Sequence, residues 1–168
     1  MVRVQGDAKF CKNVADAYLQ TAIHCNELDK KASTSTMLFA SEAFFAIPAA
    51  TNVAFACELY LKSIGMQIKS QGAMYGHPLI TLYNDLTDDQ KQELEKIFAK
   101  YCPYSTVTLE STLKHHADTF KYWRYIYEHT NDPDLSQHDV YIDNLLSAAQ
   151  ALKEYADMPL DTKSKENT

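Results

Sequence analysis

Residues 49–68 read AATNVAFACELYLKSIGMQI, and their spacing decides the fold. Val53, Ala56, Leu59, Tyr60 and Ile64 recur at steps of three and four, the period of a helix with one buried face. Glu58 and Lys62 stand one turn apart, in the order that favours an ion pair along a helix. Pro48 either kinks a helix arriving from the apolar residues before it or sits in the first turn of this one, where a missing N–H costs little.

The same period extends in both directions. Toward the N-terminus, Phe10, Val14, Ala17, Tyr18, Ala22 and Cys25 place an amphipathic helix from Asp7 to about Lys30. Ser33 to Ser35 form a polar break, and residues 37–45 are again helical and strongly apolar. Toward the C-terminus, Gly72 and Gly76 mark a loop, and Pro78 lets a short helix begin at Leu79. Thr87 and Gln90 match a capping box that opens a helix to about Tyr101, and Cys102-Pro103 ends it. Thr108 or Ser111 starts a helix expected to reach His129, before the stop at Asn131-Asp132-Pro133. Ser136 is placed to cap a last helix through Ala156, with Val140, Leu145, Leu146, Ala149 and Leu152 inward. No segment alternates with period two. The expected fold is all-α, an antiparallel helical bundle of four to five main helices with short extra ones. Residues 1–157 are expected to form one domain, and residues 158–168 a disordered tail.

The chain has 168 residues, 16 Lys+Arg against 22 Asp+Glu, and a net charge of −6. A chain of about 150 residues buries roughly 68–70% of its unfolded surface, enough for a sizeable core. Residues 131–168 hold eight acids against three lysines, whereas residues 101–130 balance at three each. That distribution excludes a general packager of nucleic acid but leaves room for a local basic pocket. The N-terminus lacks an apolar core of signal-peptide length. The most apolar stretch, residues 44–56, is broken by Pro48 and falls short of the roughly 20 residues a membrane helix needs. Cys11, Cys25, Cys57 and Cys102 are widely spaced with no C-x-x-C pair, as expected of reduced thiols in a soluble, cytoplasmic protein.

Familiar cofactor signatures are absent: there is no P-loop, no G-x-G-x-x-G and no H-E-x-x-H. His115 and His116 are adjacent, so on one helix they point about 100° apart and make a poor metal pair. Both are expected to be partly exposed, and His138 is expected at the surface. Neither a metal nor a cofactor is called for.

Three stretches remain. The first is residues 52–62, NVAFACELYLK; the second is Gly76-His77-Pro78-Leu79 with Leu82-Tyr83 after it; the third is residues 120–129, FKYWRYIYEH. Taken as residues alone, they suit a buried helix with a surface ion pair, a loop closed by a histidine, and an aromatic core helix in which Arg124 pairs with Glu128 one turn on. Aromatics beside an arginine also suit stacking on bases.

In this order and spacing the three stretches resemble the HEPN superfamily, over roughly residues 40–155. In its prokaryotic members a Glu-Leu-Tyr-Leu-Lys-like helix precedes a Gly-His-x-Leu turn, and an aromatic Arg-Tyr helix follows. The resemblance implies a helical bundle that usually forms a homodimer. It also implies a metal-independent endoribonuclease of toxin or phage-defence type, sometimes beside an antitoxin or a nucleotidyltransferase partner, or else a module that binds nucleotide, RNA or protein without cutting. The superfamily's nuclease motif is an arginine, four to six residues, then a histidine, and Arg124 and His129 match it.

The resemblance makes Arg124 and His129 the catalytic candidates. A histidine exchanges protons with a ribose 2′-hydroxyl or a leaving oxygen near neutral pH, and an arginine fork matches phosphate oxygens. Tyr125, Tyr127 and Lys121 are then the substrate-binding candidates, with Lys114 assisting. Glu58, Lys62, His77 and Glu128 are the supporting ones. The residue after the arginine, often polar in active members, is here Tyr125. Residues five apart on an ideal helix point about 140° apart, so Arg124 and His129 converge only if the helix ends between them or a dimer joins two copies.

Overall fold

The computed structural model describes residues 7–34, 45–69, 76–125, 128 and 141–159. Among these the chain is all-α, with four main helices: α1 (Ala8–Thr34), α2 (Ala46–Lys69), α4 (Asp88–Tyr101) and α7 (Ile142–Asp157). Three short ones, α3 (Leu79–Asn84), α5 (Leu109–His115) and α6 (Thr119–Arg124), lie between α2 and α7 in the chain. No described helix is long and apolar enough to cross a membrane.

The fold is organised around α2. Val53, Ala56, Tyr60 and Ile64 are fully buried as their spacing requires, and Leu59 packs partly against the same core. Ala54, Cys57 and Leu61 are buried too, so α2 is covered on more than one face. It packs on α1, α7, α6 and α3, and α7 packs in turn on α4. Pro48 sits in the first turn of α2, where no intrahelical N–H is needed. The amide of Ala46 donates to Asp29 Oδ1 at 2.9 Å, tying that helix start to α1. The expected helix over residues 37–45 lies outside the described residues, apart from Phe45.

A charged lattice ties α1, α2 and α7 together. Tyr60 Oη donates to Asp16 Oδ1 at 2.7 Å. Lys12 Nζ lies 2.9 Å from Asp16 and 2.6 Å from Asp157, and Lys153 Nζ lies 3.2 Å from Asp16 and 2.8 Å from Asp157. Partial burial opposes ionisation of Asp16, but hydrogen bonds from Tyr60, Lys12 and Lys153 outweigh it and hold the carboxyl below its ordinary value.

Helix ends follow local chemistry. Asp7 Oδ1 accepts from the Phe10 amide at 3.0 Å at the start of α1. The Thr87–Gln90 capping box forms as its spacing requires, with the Thr87 amide 2.7 Å from Gln90 Oε1. Thr87→Ala is therefore expected to cost about 1 kcal/mol of stability, read as a lowered urea midpoint, with the helix otherwise intact. Thr108 and Ser111 make a second reciprocal box at α5. Glu95 of α4 adds to it, its two carboxylate oxygens accepting from the amides of Leu109 at 2.8 Å and Glu110 at 2.9 Å.

The helix expected to run unbroken to His129 does not. It stops at His115, turns through His116, Ala117 and Asp118, and restarts as α6, which ends at Arg124. The break has a cause: the Ala117 carbonyl accepts the Leu79 amide at the start of α3, at 3.2 Å, instead of continuing the helical ladder. His116 is turned inward rather than partly exposed, with Nδ1 3.2 Å from Thr119 Oγ1. Only His115 is exposed, its ring 5.3 Å from that of Tyr141. The last helix begins at Ile142 without a side-chain cap. Ser136, Val140 and His138 lie outside the described residues, as do residues 160–168 of the expected tail. Leu145, Ala149 and Leu152 are inward and Leu146 half-buried.

Burial, and then the neighbouring His115, push the His116 imidazole down to about 4 from 6.5. The native state thus keeps His116 neutral where the unfolded chain protonates it. Stability on this account is complete above pH 6.5 and falls by roughly 3 kcal/mol as pH drops from 6.5 toward 4, then levels off. His116→Asn should flatten that acid limb in urea melts, and an unchanged limb would refute the assignment.

All four cysteines are free thiols. Cys57 is buried in the core, and burial pushes its thiol up, away from the reactive thiolate form.

Candidate functional site

Glu58 stands in the middle of α2 and is 1% exposed. A carboxylate is stable there only with partners close by. Its Oε1 accepts from Lys62 Nζ at 2.7 Å, one turn further along, and lies 3.0 Å from His77 Nδ1. Its Oε2 is buried with no hydrogen-bond partner among the described residues. The first and second sequence stretches thus meet at one oxygen.

His77 enters on the segment leading into α3. Gly76 before it has φ of +112°, a conformation that side-chain-bearing residues rarely adopt, and Pro78 after it fixes the backbone into the helix. The His77 side chain is 77% exposed beyond its contact with Glu58. A carboxylate oxygen only accepts, so Nδ1 carries the hydrogen in this pair and Nε2 the lone pair.

The third stretch supplies the opposite wall. Phe120 stacks on Phe55 of α2, centroids 4.6 Å apart and planes 17° from parallel. The Arg124 guanidinium lies 4.8 Å from the centroid of Phe120 and 4.6 Å from that of Tyr125, and its Nη2 donates to Tyr125 Oη at 2.8 Å. Phe55, Phe120, Arg124 and Tyr125 therefore form a column anchored on the core helix. The column fixes the guanidinium and leaves most of its five N–H donors unused within the described residues.

Between these walls lies a cleft of about 380 Å³, lined by Glu58, His77, Asp118, Phe120, Lys121, Arg124 and Tyr125, with Ala117 at its side. Lys62 already offsets Glu58, which leaves Arg124 and Lys121 facing Asp118. That is a small positive excess in an acidic protein.

The alternative pairing of Arg124 with Glu128 does not occur. The helix ends at Arg124, with Tyr125 as its C-cap, so Glu128 is not one helical turn on; its amide donates to the Tyr125 carbonyl at 2.9 Å and its side chain is exposed. Among the described residues Arg124 makes no ion pair. The core reading of the aromatic stretch holds in part: Phe120 packs against the core, whereas Tyr122 and Trp123 are half-buried. Lys114 is exposed on α5 and does not line the cleft. His129 and Tyr127 lie outside the described residues. Among the described residues, no three His, Cys, Asp or Glu side chains gather as a metal site would need.

Three participants went unassigned on sequence grounds. Phe55 sits three residues before Glu58, and Phe120 four before Arg124, spacings that share a helix face and so carried a usable signal. Asp118 had none, because its place depends on the turn at His116. No family model matches the chain, and neither a curated protein nor a solved structure matches it.

Proposed function

We propose that the chain acts on RNA through the cleft headed by Arg124, as a metal-independent endoribonuclease of the HEPN type. One observation carries the reading: the Arg124 guanidinium is stacked in place between Phe120 and Tyr125 and lines the cleft, paired with no carboxylate among the described residues. An arginine held that way suits a phosphodiester, whose negative charge grows as the 2′-hydroxyl attacks. His129, four residues further on, completes the Arg-x4-His spacing as proton donor or acceptor. Lys121 adds charge beside the phosphate, and Tyr125 and Tyr127 are the substrate-contacting tyrosines.

The end of α6 at Arg124, with Tyr125 as its C-cap, favours the pair, because an unbroken ideal helix would hold the two side chains about 140° apart. The active form on this reading is a cytoplasmic homodimer. A toxin or phage-defence role calls for an antitoxin or a nucleotidyltransferase beside it. The test is incubation with structured and unstructured RNA in EDTA. Cleavage lost in Arg124→Ala and in His129→Ala supports the reading; cleavage unchanged in His129→Ala removes that residue's role.

A non-catalytic module is the second reading, favoured by the meeting of Glu58, His77 and Arg124 in one cleft, which serves a bound nucleotide or RNA equally well. It predicts binding weakened by Arg124→Ala and no cleavage by any form.

A further inference from the structure

The cleft contains a carboxylate–histidine pair that the Arg124–His129 assignment does not use. Glu58 is buried on the most enclosed helix, and its Oε1 receives the Nδ1–H of His77 at 3.0 Å. A buried carboxylate in that position fixes the tautomer and orientation of an imidazole and steadies the imidazolium when it forms. Nε2 is then the basic atom, on a ring that is mostly exposed and lines the cleft with Arg124.

Two further features suit proton transfer. Among the described residues Glu58 Oε2 has no hydrogen-bond partner, so the carboxylate is under-satisfied and gains from positive charge appearing on His77. Lys62 Nζ, at 2.7 Å, shares Oε1 with the imidazole. Pro78 restricts the His77 backbone from the C-terminal side, which limits where the ring can go.

We propose that His77, positioned by Glu58, is the general base of this cleft, taking the proton from the ribose 2′-hydroxyl of an RNA strand whose phosphate Arg124 holds. The proposal rests on the reading that RNA occupies the cleft. As Nε2 takes the proton, the 2′-oxygen forms a bond to phosphorus and the bond from phosphorus to the 5′-oxygen breaks. The leaving oxygen draws its proton from water. His77 returns its proton to water, so the products are a 2′,3′-cyclic phosphate and a 5′-hydroxyl, with no net change in protons or electrons.

The experiment measures single-turnover cleavage of a fluorescent single-stranded RNA in EDTA from pH 5 to 9, with RNA binding followed separately by anisotropy. His77→Ala should slow cleavage about 10²–10⁴-fold while RNA binding and the melting temperature are retained. Glu58→Gln keeps an acceptor for Nδ1 but removes the charge that favours the imidazolium. It should slow cleavage and move the acid limb of the pH–rate profile to lower pH, which a merely structural role would not do. Should Glu58→Gln fail to fold, the exposed His77 still decides the matter. Cleavage by His77→Ala at the wild-type rate overturns the proposal. Binding of RNA without cleavage at any pH overturns it too, yet leaves the RNA-binding reading standing; neither binding nor cleavage removes both.

Discussion

If the chain is the endoribonuclease proposed above, Arg124→Ala is expected to slow RNA cleavage about 10²–10³-fold, the effect of removing one preorganised donor from a developing oxyanion. The size follows from how the side chain is held. Its guanidinium is stacked on Phe120 at 4.8 Å and Tyr125 at 4.6 Å, and Phe120 rests on Phe55 of the core helix. Little conformational freedom remains to be lost when a phosphate arrives, so nearly all of the interaction is available to the transition state. Arg124→Lys should recover only part of the rate, because an ammonium keeps the charge but has neither the planar fork nor the stacking face. Both variants should melt close to the wild type, since the Arg124 side chain is exposed. Cleavage by Arg124→Ala within twofold to threefold of wild type, a difference of well under 1 kcal/mol, would mean the residue does not touch the reacting phosphate.

The largest effect on stability is expected at Leu152. It is fully buried in α7, on a helix packed against α2, α4 and α1. Ala148, Ala149, Ala151 and Ala156 on the same helix are also buried, as are Leu145 and Tyr155. Tyr155 and Leu145 of the same helix are themselves packed in the core, so a truncated leucine is expected to leave a cavity. Leu152→Ala should therefore cost about 2–5 kcal/mol, lowering the melting temperature by roughly 4–20 °C for a chain of this size. Circular dichroism melts would measure it, and a fall under 2 °C would show that the site repacks.

How far these features were legible in the sequence depended on whether they were local. The burial of α2, the capping box at Thr87 and the start of α3 after Pro78 are set by residues within one or two turns, and spacing alone located them. The break after His115 is set by a contact from elsewhere, the Leu79 amide taking the Ala117 carbonyl, and nothing between residues 108 and 125 announces it. That missed turn had consequences: it placed Glu128 one helical turn beyond Arg124 on paper and left His116 half outside. The site was legible as three motifs but not as a geometry. Glu58 and Lys62 could be paired from their spacing, yet their meeting with His77 joins residues 19 apart through a shared carboxylate oxygen. Phe120 was visible as an aromatic, but its role as a shelf for Arg124 depended on Phe55 of another helix.

On the proposed function, RNA occupies the cleft headed by Arg124. The most direct measurement is a titration of fluorescein-labelled single-stranded RNA by fluorescence anisotropy in EDTA, at two salt concentrations, with wild-type protein and Arg124→Ala. Wild-type protein should bind in a salt-sensitive way, and binding should weaken at least about tenfold in the variant, as loss of a bidentate phosphate contact requires. Wild-type protein that binds no RNA, or a folded Arg124→Ala that binds it equally well, would contradict that reading.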